Sequence, residues 1–183
     1  MQDNKKIVVF YYEGFAEFEI SLALLYLSSN EIIFVAMEKK EYKSLSGQRF
    51  VVDYLIDEID PTDVKLFIIP GGDPKPYLGN QKLFEFIEKA SNSGAVIAGI
   101  CGGADILVSL GFLAGKSCTG ITRDSSIPQS LIDHFDQTTY TDESIVITDH
   151  FITAKGEAFI EFASVLPKQI GMKADEYFEF KFK

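Results

Sequence analysis

The sequence predicts an α/β fold, a doubly wound and mostly parallel sheet with helices on both faces, and three observations predict it. Four apolar-rich runs of strand length, Ile7 to Tyr12, Ile32 to Ala36, Val64 to Ile69 and Ala95 to Ile100, read as strands, and the first, continuously apolar, as one covered on both faces, as in a parallel sheet. Stretches with helical spacing alternate with those runs. The fourth run ends at Gly99-Ile100-Cys101-Gly102-Gly103, just before an apolar helical pattern, which sets Cys101 on a sharp strand-to-helix turn.

The first strand gives way through Glu13-Gly14-Phe15 to a helix over roughly Ala16 to Ser28, and Ile32 to Ala36 completes a βαβ unit. Alternating apolar and polar residues then predict a hairpin or short antiparallel excursion, Tyr42 to Leu45 and Phe50 to Tyr54, turning at Ser46-Gly47-Gln48. The Val64 to Ile69 strand stops at Pro70-Gly71-Gly72-Asp73-Pro74. Asn80 caps a helix running to about Ser91, with Leu83, Phe84, Phe86 and Ile87 inward and Gly94 past its end. The helix after Cys101 closes at Gly111, and Pro128 opens a short helix through about Phe135. Ile145 to Thr148 and Phe151 to Ala154 are short strands around a tight Asp149-His150 turn. A last helix begins near Gly156-Glu157 and is kinked or ended by Pro167. The tail, residues 174–183, alternates aromatic with charged from Tyr177 to Phe182, which suits an added edge strand or a subunit contact. No repeat or linker interrupts the 183 residues, which read as one domain.

Composition narrows the function classes. Seventeen Lys and Arg against 27 Asp and Glu leave a net charge of −10, which supplies no basic face for phosphates and argues against nucleic acid. No run of apolar residues is long enough to span a membrane, and Met1 to Lys6 leads straight into a strand without an apolar targeting region. Two cysteines without clustered Cys/His spacing form neither a disulfide framework nor a zinc site. No metal or organic cofactor is called for, and a reducing cytoplasm suits an unpaired thiol.

Gly99, Gly102 and Gly103 allow the tight turn that pushes a nucleophile out over the carboxyl edge of a sheet. The helix that follows brings unpaired N–H groups to the sulfur, which favours thiolate over thiol. A buried structural cysteine is the alternative, but such a residue needs no glycines on both sides. Ligands in doubly wound folds bind at the carboxyl ends of the strands, so the site belongs in the loops after Tyr12, Ile69, Ile100 and Ala154. The first of these leads to Glu17 and Glu19, a carboxyl group to hang over the turn. The second holds Gly71 and Gly72, whose bare N–H groups, with that of Gly102, suit an oxyanion hole. Asp105 falls in the first turn of the following helix, where an acid suits the dipole whatever the function. Arg123 either receives an anionic substrate at the rim or is simply solvated, and Asp124 beside it is an equally weak candidate. His134 and His150 read as solvated surface residues, with His150 an accessory group at most. Cys118 is either a buried, inert thiol, the simpler reading, or a thiol that resolves an oxidised Cys101 as a disulfide.

Gly14-Phe15-Ala16-Glu17-Phe18-Glu19, Ile68-Ile69-Pro70-Gly71-Gly72, Ala98-Gly99-Ile100-Cys101-Gly102-Gly103 and Ile152-Thr153-Ala154-Lys155-Gly156 resemble, in this order, the successive motifs of the ThiJ/PfpI superfamily. The resemblance spans about residues 5 to 171 and implies a flavodoxin-like sandwich of the class I glutamine amidotransferase type, usually a homodimer. It further implies Cys101 as nucleophile, Glu19 as the glutamate bonded to its sulfur, and Gly72 and Gly102 as oxyanion-hole amides. A carboxylic acid kept protonated beside a thiolate stabilises it and serves as a proton shuttle. The departures matter equally. Peptidase-like members carry His directly after the cysteine, where this chain has Gly102. Glutamine amidotransferases carry His-x-Glu where this chain reads Lys155-Gly156-Glu157, and Ser117 to Ile121 lacks the histidine some relatives place there. Action on a small carbonyl substrate such as methylglyoxal through a hemithioacetal is therefore the first expectation. A redox sensor or stress-response binding protein holding Cys101 as a sulfinate is the second, a peptidase is less favoured, and a vestigial pocket is the last.

Overall fold

The structure, a computed structural model, describes residues 5–121 and 127–173. In chain order its elements are β1 (Lys6–Phe10), α1 (Phe18–Tyr26), β2 (Ile32–Ala36), β3 (Tyr42–Lys43), β4 (Arg49–Phe50), β5 (Tyr54–Leu55), β6 (Val64–Ile69), α2 (Gln81–Asn92), β7 (Val96–Ile100), α3 (Gly102–Ser109), β8 (Ser117–Cys118), α4 (Ile132–Asp136), β9 (Thr139–Tyr140), β10 (Ile145–Thr148), β11 (Phe151–Ala154) and α5 (Phe159–Gln169). Seven strands form one sheet in the order β10-β11-β7-β6-β1-β2-β5. Every pairing in it is parallel except β10 with β11.

The apolar runs make this sheet because both of its faces are covered. Val8 and Val9 point to opposite faces, yet each is 0% exposed. Leu66, Phe67, Ile68 and Ile69 are buried in the same way, each side chain contributing about 1.5–3 kcal/mol of transfer free energy. From β1 the chain steps outward to β2 and β5, then returns to lay β6 on the other side of β1. Right-handed crossovers in opposite directions put α1 and α2 on opposite faces, and α5 packs against α1. Strand order thus reverses between β1 and β6, and the crevice at their carboxyl ends is where such a sheet accepts ligands.

Three expectations need correction. Tyr54 does not close the hairpin: β3 pairs with β4, whereas β5 adds to the main sheet parallel to β2. Asp53 docks there by its own groups, since its N–H donates to Phe34 O at 2.9 Å and its Oδ2 accepts from Phe34 N at 2.9 Å. Pro167 does not end the last helix, which runs on to Gln169. In the final turn the proline gives up its own ladder bond and crowds the carbonyl of Ala163, with only two helical residues beyond it to disturb. Phe84 is half-buried rather than inward, stacked on Phe112, which stacks in turn on Phe151. The tail expected to form an edge strand or subunit contact lies outside the described residues, as do Arg123 and Asp124.

Candidate active site

Sheet pairing runs right up to Cys101, whose N–H donates to Ala154 O at 2.9 Å. The chain must then turn at once into α3, and Cys101 adopts φ 51° and ψ −124°, a conformation that costs a side-chain-bearing residue about 1–3 kcal/mol. Its glycine neighbours make the turn sterically feasible. A Cβ on Gly102 would strike Gly72 O, and one on Gly103 would strike Ile69 O. The sulfur is left half-buried, with the N–H groups of Gly102 and Gly72 donating toward it.

Glu19 arrives from the first turn of α1. The start of that helix is stitched to the loop after β6 by Ala16 N donating to Gly71 O at 2.8 Å, and Gly71 N in return donates to Glu19 Oε2 at 2.9 Å. This two-way clamp holds a carboxyl group, 4% exposed, in hydrogen-bond contact with the Cys101 sulfur. Gly71 and Gly156 flank the pair, and neither position has room for a side chain. A Cβ on Gly156 would stand 2.8 Å from Glu19 Oε1 and 3.5 Å from Cys101 Sγ, and one on Gly71 would run into Glu19 Oε2.

Burial pushes the Glu19 carboxyl up to about 7, against the pull of the Gly71 N–H and the thiol. Burial also pushes Cys101 up to about 11; the charge of Glu19 adds to this, and the amides of Gly102 and Gly72 oppose it. The expectation that the helix end leaves the thiol below its ordinary value is therefore corrected, because desolvation and a facing carboxylate outweigh the amides. The two groups titrate as one unit. When Glu19 carries the proton, the charge that raises Cys101 is gone and an O–H is available to donate to a thiolate.

The remaining candidates lie elsewhere. Glu17 turns toward the β3–β4 hairpin, where Gln48 Nε2 lies 3.4 Å from its Oε1. Asp105 is buried in the first turn of α3, as its place at a helix start requires. His150 sits at the other end of β11, where its carbonyl accepts from Ile97 N and its Nε2 lies 2.5 Å from Ser91 Oγ. Four strand residues lie between that level and Cys101, five steps or about 16 Å, so the accessory role is not supported. His134 is half-buried rather than solvated, its Nδ1 lying 2.6 Å from Ser109 O at the far end of α3. Cys118 is 0% exposed on β8, which packs against β10 and β11, one strand removed from β7. Among the described residues no group of three or more His, Cys, Asp and Glu is arranged to hold a metal ion, and no helix is long and apolar enough to cross a membrane. Two neighbours of the pair carried no role in the sequence reading: Gly156, which has no side chain to suggest one, and Tyr12, which reads only as the end of an apolar strand.

A profile of the DJ-1/PfpI family matches residues 5–169. Deglycase TK1284 of Thermococcus kodakarensis is 27% identical over 117 residues, covering 62% of this chain and 70% of that protein. Uncharacterized protease YdeA of Bacillus subtilis is 29% identical over 140 residues, covering 74% of this chain and 67% of that protein. In fold, the DJ-1 superfamily protein Atu0886 from Agrobacterium tumefaciens is similar with a TM-score of 0.79 at 23% identity, over 94% of this chain and 93% of that one.

Proposed function

The chain belongs to the DJ-1/PfpI family, and on that premise we propose that it acts on small reactive carbonyl compounds by addition of the Cys101 thiolate. The observation that carries this reading is the buried Glu19 carboxyl, raised to about 7 and bonded to the sulfur. Such a group is a proton donor and acceptor near neutrality, the range in which general acid–base catalysis works best.

In the first step the sulfur bonds to the aldehyde carbon of a 1,2-dicarbonyl such as methylglyoxal, and the carbonyl π pair moves to oxygen. The amides of Gly72 and Gly102 face the developing charge, and Glu19 supplies the proton that completes a hemithioacetal. Glu19, now a carboxylate, takes the hydrogen from the sulfur-bearing carbon and returns it to the neighbouring carbon. The hydroxyl proton passes to the neighbouring oxygen, which leaves a thioester. Water then cleaves the thioester to a 2-hydroxy acid and the free thiol. No oxidant enters, and the sum is addition of one water to the dicarbonyl. Hydrolysis of peptides is disfavoured by the positions of both imidazoles, one at the opposite end of β11 and one at the far end of α3.

The test is lactate formation from methylglyoxal by the wild type, Cys101→Ser and Glu19→Gln. Both variants are expected to lose the activity, and equal rates in all three proteins would refute the proposal. A redox reading of the same site draws support from the two amides and the carboxyl around a half-buried sulfur, which suit the oxygens of a sulfinate and need no imidazole.

A further inference from the structure

Beneath the pair lies a second hydrogen bond that the chemistry above does not use. The Tyr12 hydroxyl donates to Pro70 O at 2.8 Å, and the next group along the same peptide unit, Gly71 N–H, donates to Glu19 Oε2 at 2.9 Å. Phenol, peptide and carboxylate thus form a chain of two bonds through one amide, and bonds in such a chain strengthen one another. Tyr12 and Glu19 are 0% and 4% exposed, so water does not compete for either bond. The Tyr12 ring is fixed by Phe10, Phe15 and Tyr77, with centroids 5.9, 6.5 and 5.4 Å away. Burial, followed by the charges of Glu19, Cys101, Asp73 and Tyr77, holds the phenol well above 10, so it keeps the proton it donates to Pro70 O. On the Glu19 side the facing groups are Gly71 N–H and the Cys101 thiol.

We propose that Tyr12 is a positioning residue that polarises the Pro70–Gly71 peptide, strengthens its bond to the Glu19 carboxylate, and so sets how the pair divides its proton between oxygen and sulfur. The inference rests on Glu19 and Cys101 being the reactive pair. Without the phenol the carboxylate binds its proton more tightly, and two effects follow together. The pair releases its first proton at higher pH. Once released, the remaining proton spends more time on oxygen and less on sulfur, so the thiolate share rises.

The experiment is the rate of Cys101 alkylation by iodoacetamide from pH 5 to 10, read by mass spectrometry of the Cys101 peptide. It uses the wild type, Tyr12→Phe, Glu19→Gln and the double variant, with thermal unfolding as the check on folding. Tyr12→Phe keeps the ring. Its inflection is expected to move up from the wild type by roughly half a unit, with a plateau about threefold higher and unchanged rates below the inflection. In the Glu19→Gln background the same change should move nothing, which separates the relay from a general loosening of β1. An inflection present in the wild type but unmoved by Tyr12→Phe refutes the relay alone, as does an equal change in both backgrounds. Absence of any inflection near 7 in the wild type refutes the carboxyl–thiol pair and the relay with it.

Discussion

Gly156→Ala disturbs the site without touching either reactive side chain. The backbone there has no positive φ, so alanine is conformationally admissible, and the effect comes from the added methyl group alone. That methyl would stand 2.8 Å from Glu19 Oε1, 3.3 Å from Cys101 Cβ and 3.5 Å from Cys101 Sγ. Only the first contact is intolerable, and Oε1 must retreat by roughly half an ångström to reach ordinary contact. The carboxyl has little freedom to do so, because Gly71 N holds its other oxygen at 2.9 Å. Overpacking of this kind costs about 1–3 kcal/mol, which lowers the melting temperature of a chain this size by roughly 2–12 °C. Displacement of the proton carrier by half an ångström should slow methylglyoxal turnover by on the order of tenfold, given that about 1 Å costs on the order of 100-fold. Steady-state lactate production and thermal unfolding of the same preparation report the two effects separately. Wild-type turnover in a folded Gly156→Ala protein would mean that Oε1 does not need its present position, and the geometric argument for Glu19 would be wrong.

Two further outcomes follow from the same groups. The Glu19 carboxyl is raised from 4.5 in the unfolded chain to about 7 in the folded protein, so the native state keeps a proton that the unfolded state has released. Its contribution is therefore fully present below 4.5 and is lost as pH rises through 7, a change of about 3 kcal/mol. Denaturant titrations should show the wild type losing stability relative to Glu19→Gln between pH 5 and 8 by that order; parallel pH curves for the two proteins would contradict the burial argument. Under mild peroxide, intact mass and peptide mapping should find two added oxygens on Cys101 and an unmodified Cys118, since the latter is fully buried on β8. A Cys101–Cys118 bridge would show that β8 leaves its place readily.

Much of the fold is legible because strands of the sheet are written as short runs rich in apolar residues, densest where both faces are buried. Ile32–Ala36, Val64–Ile69, Ile145–Thr148 and Phe151–Ala154 are strands with the bounds their sequences suggest. The edge strand β5 is harder to read, because two residues of pairing leave no periodicity and the bonds of Asp53 to Phe34 are invisible in one dimension. At the site, Cys101 announces itself by the glycines around it, whereas the residues alone leave Glu17 and Glu19 both open and the family resemblance singles out Glu19. Gly156 matters through the atoms it lacks, and Tyr12 through a hydroxyl that hydrophobic patterning discounts. His134 misleads for the opposite reason: charged neighbours suggest solvent, while its ring lies against the end of α3.

Glu19, Gly71, Cys101 and Gly156 come from four separate segments that follow four different strands, and no two of them are neighbours in the chain. Their meeting depends on β1, β6, β7 and β11 standing side by side at the centre of the sheet. Local opening at the edges, around β5 or β10, leaves that central register in place, whereas loss of β11 removes the acceptor for Cys101 N and the Gly156 wall together. Thiol chemistry at this position is thus an all-or-none report on the assembled centre of the sheet. A chain arrested before β11 is laid down has the cysteine and the glutamate but neither the acceptor for Cys101 N nor the Gly156 wall.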